Sequence, residues 1–202
     1  MWDLSFSVRL VVLGVVMLAV AGVDYGVKRE RATKWREYAF LCVAGLVGGL
    51  FGMAVDQITG RISPEYFEFG KGISPGPGYW SSVMALGFRA GFFGGLLVGV
   101  AALMANNPRP ELERLSWRRL GGLLWWPMAA AALGAAGCGV VGAMDVFGLK
   151  SGLDAAEIIQ GGRLLAVQGA HFGLYLGGLL GVVLVVRRVR RMRRELGAVR
   201  IS

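Results

Sequence analysis

The length of the uninterrupted apolar blocks constrains this chain more than any other feature. Crossing the hydrocarbon of a bilayer as a helix takes about 20 apolar residues. Blocks at 38–55, 81–104, 120–144 and 164–186 meet that need closely. A fifth block, 4–25, has its uncharged core at 10–23, and Arg9 and Asp24 at its edges can snorkel to the interface. A soluble domain would alternate polar and apolar faces, whereas here 55% of the residues are hydrophobic and they run together. The pattern predicts an all-α fold, a polytopic five-helix transmembrane bundle. A single integral membrane domain spans 1–202, with a basic tail at 187–202.

The charge distribution orients the bundle. Of 22 lysines and arginines, most crowd into three segments: Lys28 to Arg36, Arg109 to Arg119, and Arg187 to Arg200. Five helices bring those three segments to one side, which the positive-inside rule makes cytoplasmic. The expectation is N-out, C-in, in a cell membrane of the bacterial inner-membrane type. Ala19-Val20-Ala21 resembles a signal-peptidase site, but cleavage there would place both the Lys28–Arg36 cluster and the Arg187–Arg194 run outside. The first block is therefore read as an anchor. RVRRMRRE near the C-terminus carries no interleaved aromatics for base stacking. It reads as a topology signal in contact with anionic lipid, not as a nucleic-acid site.

Glycines recur with a four-residue spacing. Gly87, Gly91, Gly95 and Gly99 mark the third block, and Gly169, Gly173, Gly177 and Gly181 the fifth. The second and fourth blocks are glycine-rich as well, and end in Ala-Val-Asp56 and Ala-Met-Asp145. Small residues at this spacing let helix backbones approach closely. The match predicts a duplicated helical hairpin with glycine-zipper packing, in which Arg89 and His171 occupy equivalent positions.

The two loops on the other side differ. In DQITGRISPEYFEFGKGISPGPGYW, Ser63-Pro64 forms an N-cap and N1 pair for a short helical turn. Residues 70–78 are irregular and turn-rich, and Tyr66, Phe67, Phe69, Tyr79 and Trp80 are expected at the membrane interface. In DVFGLKSGLDAAEIIQGGR, Ser151 and Asp154 have capping-box spacing, which predicts a short helix over 152–160. Asp24 and Tyr25 are read as an interfacial cap, and Cys42 and Cys138 as small packing residues within the spans.

The remaining polar residues carry the functional reading. Arg89 lies roughly 12 Å into its helix at 1.5 Å per residue, where an arginine costs about 2.5–3.5 kcal/mol to insert. Two residues beyond a glycine lies nearly the opposite helix face, so Arg89 and His171 point away from the glycine stripes. The expected partners of Arg89 are Asp56 first and Asp145 second. Glu65 follows in the loop, and Gln168, His171 and Tyr175 share one face of the fifth block. Together these form an intramembrane polar site in an outer vestibule. His171 is the only histidine and can titrate near neutral pH, but one histidine makes no zinc site. No catalytic motif appears, so no enzyme activity, cofactor or metal is expected. The function expected is a channel or transporter for an ion or small solute. The alternative is a non-catalytic assembly subunit of a membrane complex. The expected partners are lipid, copies of this chain, or other membrane subunits.

Overall fold

The computed structural model describes residues 4–107, 113–155 and 160–199, and side chains within somewhat narrower limits. The described chain is all-helical. α1 spans Leu4–Lys28, α2 Lys34–Ile62, α3 Pro64–Lys71, α4 Tyr79–Asn106, α5 Trp117–Gly121, α6 Trp125–Ala143, α7 Lys150–Ala155 and α8 Gly161–Val199. Five segments are long and apolar enough to cross a membrane: α1, α2, α4, α8, and the α5–α6 pair counted together.

The elements run beyond the apolar blocks for local reasons. α2 continues past Asp56 to Ile62 and stops where Ser63, preceding a proline, takes an extended conformation (φ −142°, ψ 98°). Pro64 then opens α3, as its ring suits a first helical turn. The Ser63 hydroxyl donates to the Glu65 carboxylate (2.8 Å) instead of capping the backbone. Gly72, left-handed at φ 66°, closes α3 with its N–H on the Glu68 carbonyl, and Ile73 N–H reaches Phe67. The fourth block is broken: α5 ends at Gly121, and Pro127 falls in the first turn of α6, where its missing N–H costs nothing.

The basic tail expected from residue 187 is helical as far as Val199, as a continuation of α8. Arginine is a good helix former, Arg191 pairs with Glu195 (2.8 Å), and Arg193 is buried. Arg193 donates to the carbonyls of Ala105 (3.2 Å) and Glu113 (3.1 Å). α7 starts at Lys150, not 152. Asp145, at φ 50°, caps it by accepting from Leu149 N–H (2.7 Å) and Lys150 N–H (3.2 Å), while the Ser151 hydroxyl donates to Gly148. Residues 156–159 of the expected 152–160 helix, and the Asp154 side chain, lie outside the described residues.

α1 is joined to α2 by a cap. The Asp24 carboxylate accepts from the N–H groups of Thr33 and Lys34 (both 2.9 Å) and pairs with Lys28 (2.7 Å). An anion at a helix N-terminus is favoured by the exposed N–H groups and the helix dipole. Tyr25 stays exposed. Of the other described side chains of α1, none is buried and most are exposed.

The other four long helices form two antiparallel pairs, α2 with α4 and α6 with α8. Within each pair the backbones nearly touch. A Cβ added at Gly48 or Gly52 would run into the carbonyls of Gly91 and Gly87, and one at Gly95 into the carbonyl of Ala44. Across the other pair, a Cβ at Gly173 would meet the Gly134 carbonyl, and one at Gly177 the Ala130 carbonyl. The two pairs are pinned together at both ends. At the α3 end Tyr66, Phe67, Tyr79, Val83 and Val167 cluster. At the arginine-rich end Phe40, Ala102, Ala105, Leu120, Val185 and Val189 do so. There the Asn106 side chain also closes the 107–115 connection, bonding the Leu115 backbone through both its oxygen (2.9 Å) and its nitrogen (3.3 Å).

Candidate functional site

Between the two pinned ends lies a groove of about 400 Å³. All four helices of the two pairs line it: Gly52 and Phe51 from α2, Gly91 and Gly94 from α4, Met128 and Ala131 from α6, Leu174 and Gly178 from α8. Its lining is apolar for most of its length. Asp56, Lys71, His171 and Tyr175 add polar groups, all of them toward the α3 end.

Asp56 and His171 form the centre of that polar end. His171 Nε2 lies 3.1 Å from Asp56 Oδ1, and Nδ1 lies 2.9 Å from the carbonyl of Val167, one turn back on α8. Both side chains are below 10% exposure. Asp56 packs against Gly87 of α4, where any larger residue would strike the carboxylate. The Tyr66 ring stacks on the imidazole (4.5 Å between centroids, 22°), and Phe67 meets it edge-on at 6.0 Å. α3 therefore roofs the pair. Burial, with the Asp56 carboxylate adding to it, pushes the Tyr66 phenol up to about 12, so the ring over the imidazole stays uncharged.

The hydrogen bonds dictate a proton count. A backbone carbonyl can only accept, so His171 Nδ1 must carry a hydrogen. Nε2 then either donates a second hydrogen to ionised Asp56 or accepts one from its protonated carboxyl. In both arrangements the pair is neutral overall and holds one proton more than a neutral imidazole beside a carboxylate.

The structure thus brings together only part of the expected vestibule. Asp56 and His171 meet, and Tyr175 joins them on the groove, 59% exposed. Arg89 is not seated on Asp56. Its Nε donates to the Ala85 carbonyl (3.2 Å) on its own helix, and Asp56 is directed at His171. Asp145 is a cap in a turn, Glu65 is held by Ser63, and Gln168 is exposed, so none of the three lines the groove. The two hairpins end differently: α2 runs six residues past Asp56, whereas α6 stops at Ala143, before Asp145.

Of the five aromatics placed at the interface by sequence, Tyr66, Phe67 and Tyr79 are buried within the protein, while Phe69 and Trp80 are exposed. Lys71 also escaped notice. It lines the groove with its ammonium 5.2 Å from the Tyr66 ring. A signal for both was available: α3 starts at a proline only eight residues beyond Asp56, so its aromatics cannot travel far from that carboxylate. Among the described residues no group of three or more His, Cys, Asp or Glu side chains could hold a metal ion. No family model, curated protein or solved structure matches the chain.

Proposed function

We propose that this multi-pass membrane protein is a proton-linked carrier for a small solute. The groove between the two helix pairs is the solute site, and Asp56–His171 is the proton site at its end. One observation carries this reading: a buried, hydrogen-bonded ionisable pair within membrane-spanning helices, opening on a groove. Ionisable groups at such depth are costly and mark ion or proton pathways by default. The proposal includes the N-out, C-in orientation, supported by the three basic segments, with the α3 end outside in a bacterial-type inner membrane. It also includes an origin by duplication of a glycine-zipper hairpin, supported by the matching backbone contacts along both pairs. The basic end of α8 would meet anionic lipid.

The reading is tested with the purified chain in liposomes that hold a pH-sensitive dye, under an imposed potassium diffusion potential. Proton entry should exceed that of empty liposomes and fall to their level in D56N/H171F. The assembly-subunit reading draws support from α1, whose exposed faces could receive a partner helix. Silent liposomes together with other membrane chains co-purifying in mild detergent would favour it.

A further inference from the structure

The groove has the polarity of a lipid and not of an ion path. From Asp56 to Ala44, both of which line it, α2 advances twelve residues, about 18 Å at 1.5 Å per residue. That is somewhat more than one leaflet of a hydrocarbon core about 30 Å thick. Over this length the polar groups occupy one end alone. Past Tyr175 the groove-lining side chains are apolar through Met128, Leu179 and Val182 to Leu124. A hydrated ion moving down this surface would lose its water with nothing to replace it. A molecule with one polar end and one long apolar body matches it throughout.

The rim points the same way. Leu97, Tyr175 and Leu179 line the groove and are 69%, 59% and 65% exposed, so large apolar surface is left uncovered along it. Its floor is also kept low. Gly94 and Gly178 both line it, and a Cβ at either would meet nothing within 4 Å. These two differ from Gly91 and Gly173, whose hydrogens are needed for backbone contact.

The charge at the polar end selects the head. With Asp56 and His171 neutral as a pair, Lys71 is the remaining charge among the described groove-lining side chains. Glu65 and Glu68 do not line the groove. A single cation at the same end of the groove as Tyr175 suits a monoanionic head.

We propose that the groove binds a single-chain amphiphile with an anionic head, of the long-chain carboxylate class. The head lies at Lys71 and Tyr175, and the chain lies along Gly94 and Gly178. As the solute of a carrier this rests on the function proposed above; as a binding site it does not.

The test is photolabelling of the full chain in nanodiscs with palmitic acid bearing a tail diazirine, followed by peptide mapping. Labels should concentrate on groove-lining residues of α4 and α8. Excess palmitate should compete, whereas hexanoate, lacking the chain, and hexadecanol, lacking the charge, should each compete at least fivefold less well. G94L/G178L should lose labelling at least fivefold, and K71Q several-fold, with unchanged helicity and elution. Labels spread evenly over α1 and the outer faces of the bundle would overturn the proposal, even if the glycine variants fail to fold. So would undiminished labelling in a folded G94L/G178L protein. A wild-type dimer that stays unlabelled in the groove and dissociates in G94L would give the groove to a second copy, and would also overturn it. Groove labelling without proton flux would leave the binding site standing and remove the carrier reading.

Discussion

Replacing Asp56 by leucine should destabilise the protein by about 2 kcal/mol, and replacing it by asparagine by well under half of that. The difference follows from the two acceptors around His171. In D56N, a neutral imidazole keeps its Nδ1 hydrogen on Val167, and the new amide donates to Nε2, so both ring nitrogens stay satisfied. In D56L, Nε2 has no partner, and the ring is 5% exposed, so water cannot replace it. An unsatisfied buried group costs about 1–3 kcal/mol. Hydrogen bonds between helices in a bilayer average only about 0.6 kcal/mol and reach about 1.7. The upper end applies here, because Tyr66 and Phe67 seal the pair inside protein. About 2 kcal/mol is a roughly 30-fold change in the folding equilibrium, readable by detergent-driven unfolding of the purified chain. D56L/H171F should return to within about 1 kcal/mol of wild type, since a buried pair replaced by apolar groups is often neutral. The single histidine permits a direct check of the proton count, because ring-¹⁵N labelling yields one imidazole spectrum. Wild type should show Nδ1 protonated. A bare Nδ1 with hydrogen on Nε2 alone, or equal stability of D56L and D56N, would refute the reasoning.

Other consequences can be read in parallel. G95L and G177L should abolish folding or assembly, because their side chains would enter the carbonyls of Ala44 and Ala130, while L96A and L179A should retain a native elution profile. In a background lacking Cys42 and Cys138, cysteines at Ser74 and Ser151 should be labelled by an impermeant maleimide from outside intact cells, and one at Ser116 should not; the opposite pattern would invert the proposed orientation. R193M should lower stability by about 2 kcal/mol by leaving the Ala105 and Glu113 carbonyls short of donors, measured by the same unfolding assay. The coupling energy between Arg89 and Asp56 should be smaller than that between His171 and Asp56 in double-mutant cycles, because the carboxylate is directed at the imidazole.

What the sequence determined by itself was set by length and period. Apolar blocks near 20 residues specify helices in a bilayer, because no other single segment satisfies its own backbone there. Four-residue glycine spacing places small groups on one helix face, and a Cβ at Gly91, Gly95, Gly173 or Gly177 would strike the backbone of the neighbouring helix. The α3 helix was legible at Ser63-Pro64, and the polar Asp24 at the C-terminal end of the first block. Partnership among the polar residues was not legible, because it depends on where helices end and how two hairpins are placed side by side. Arg89 and His171 hold the same place beside their glycine stripes, yet Asp56 is directed at His171, since α2 carries Asp56 to it while Asp145 sits in a turn beyond α6. The burial of Tyr66 over the imidazole, of Arg193 against α4, and the groove between the pairs arise from contacts more than a hundred, or nearly a hundred, residues apart. No local pattern encodes such contacts; the packing of one helix pair against the other decides them.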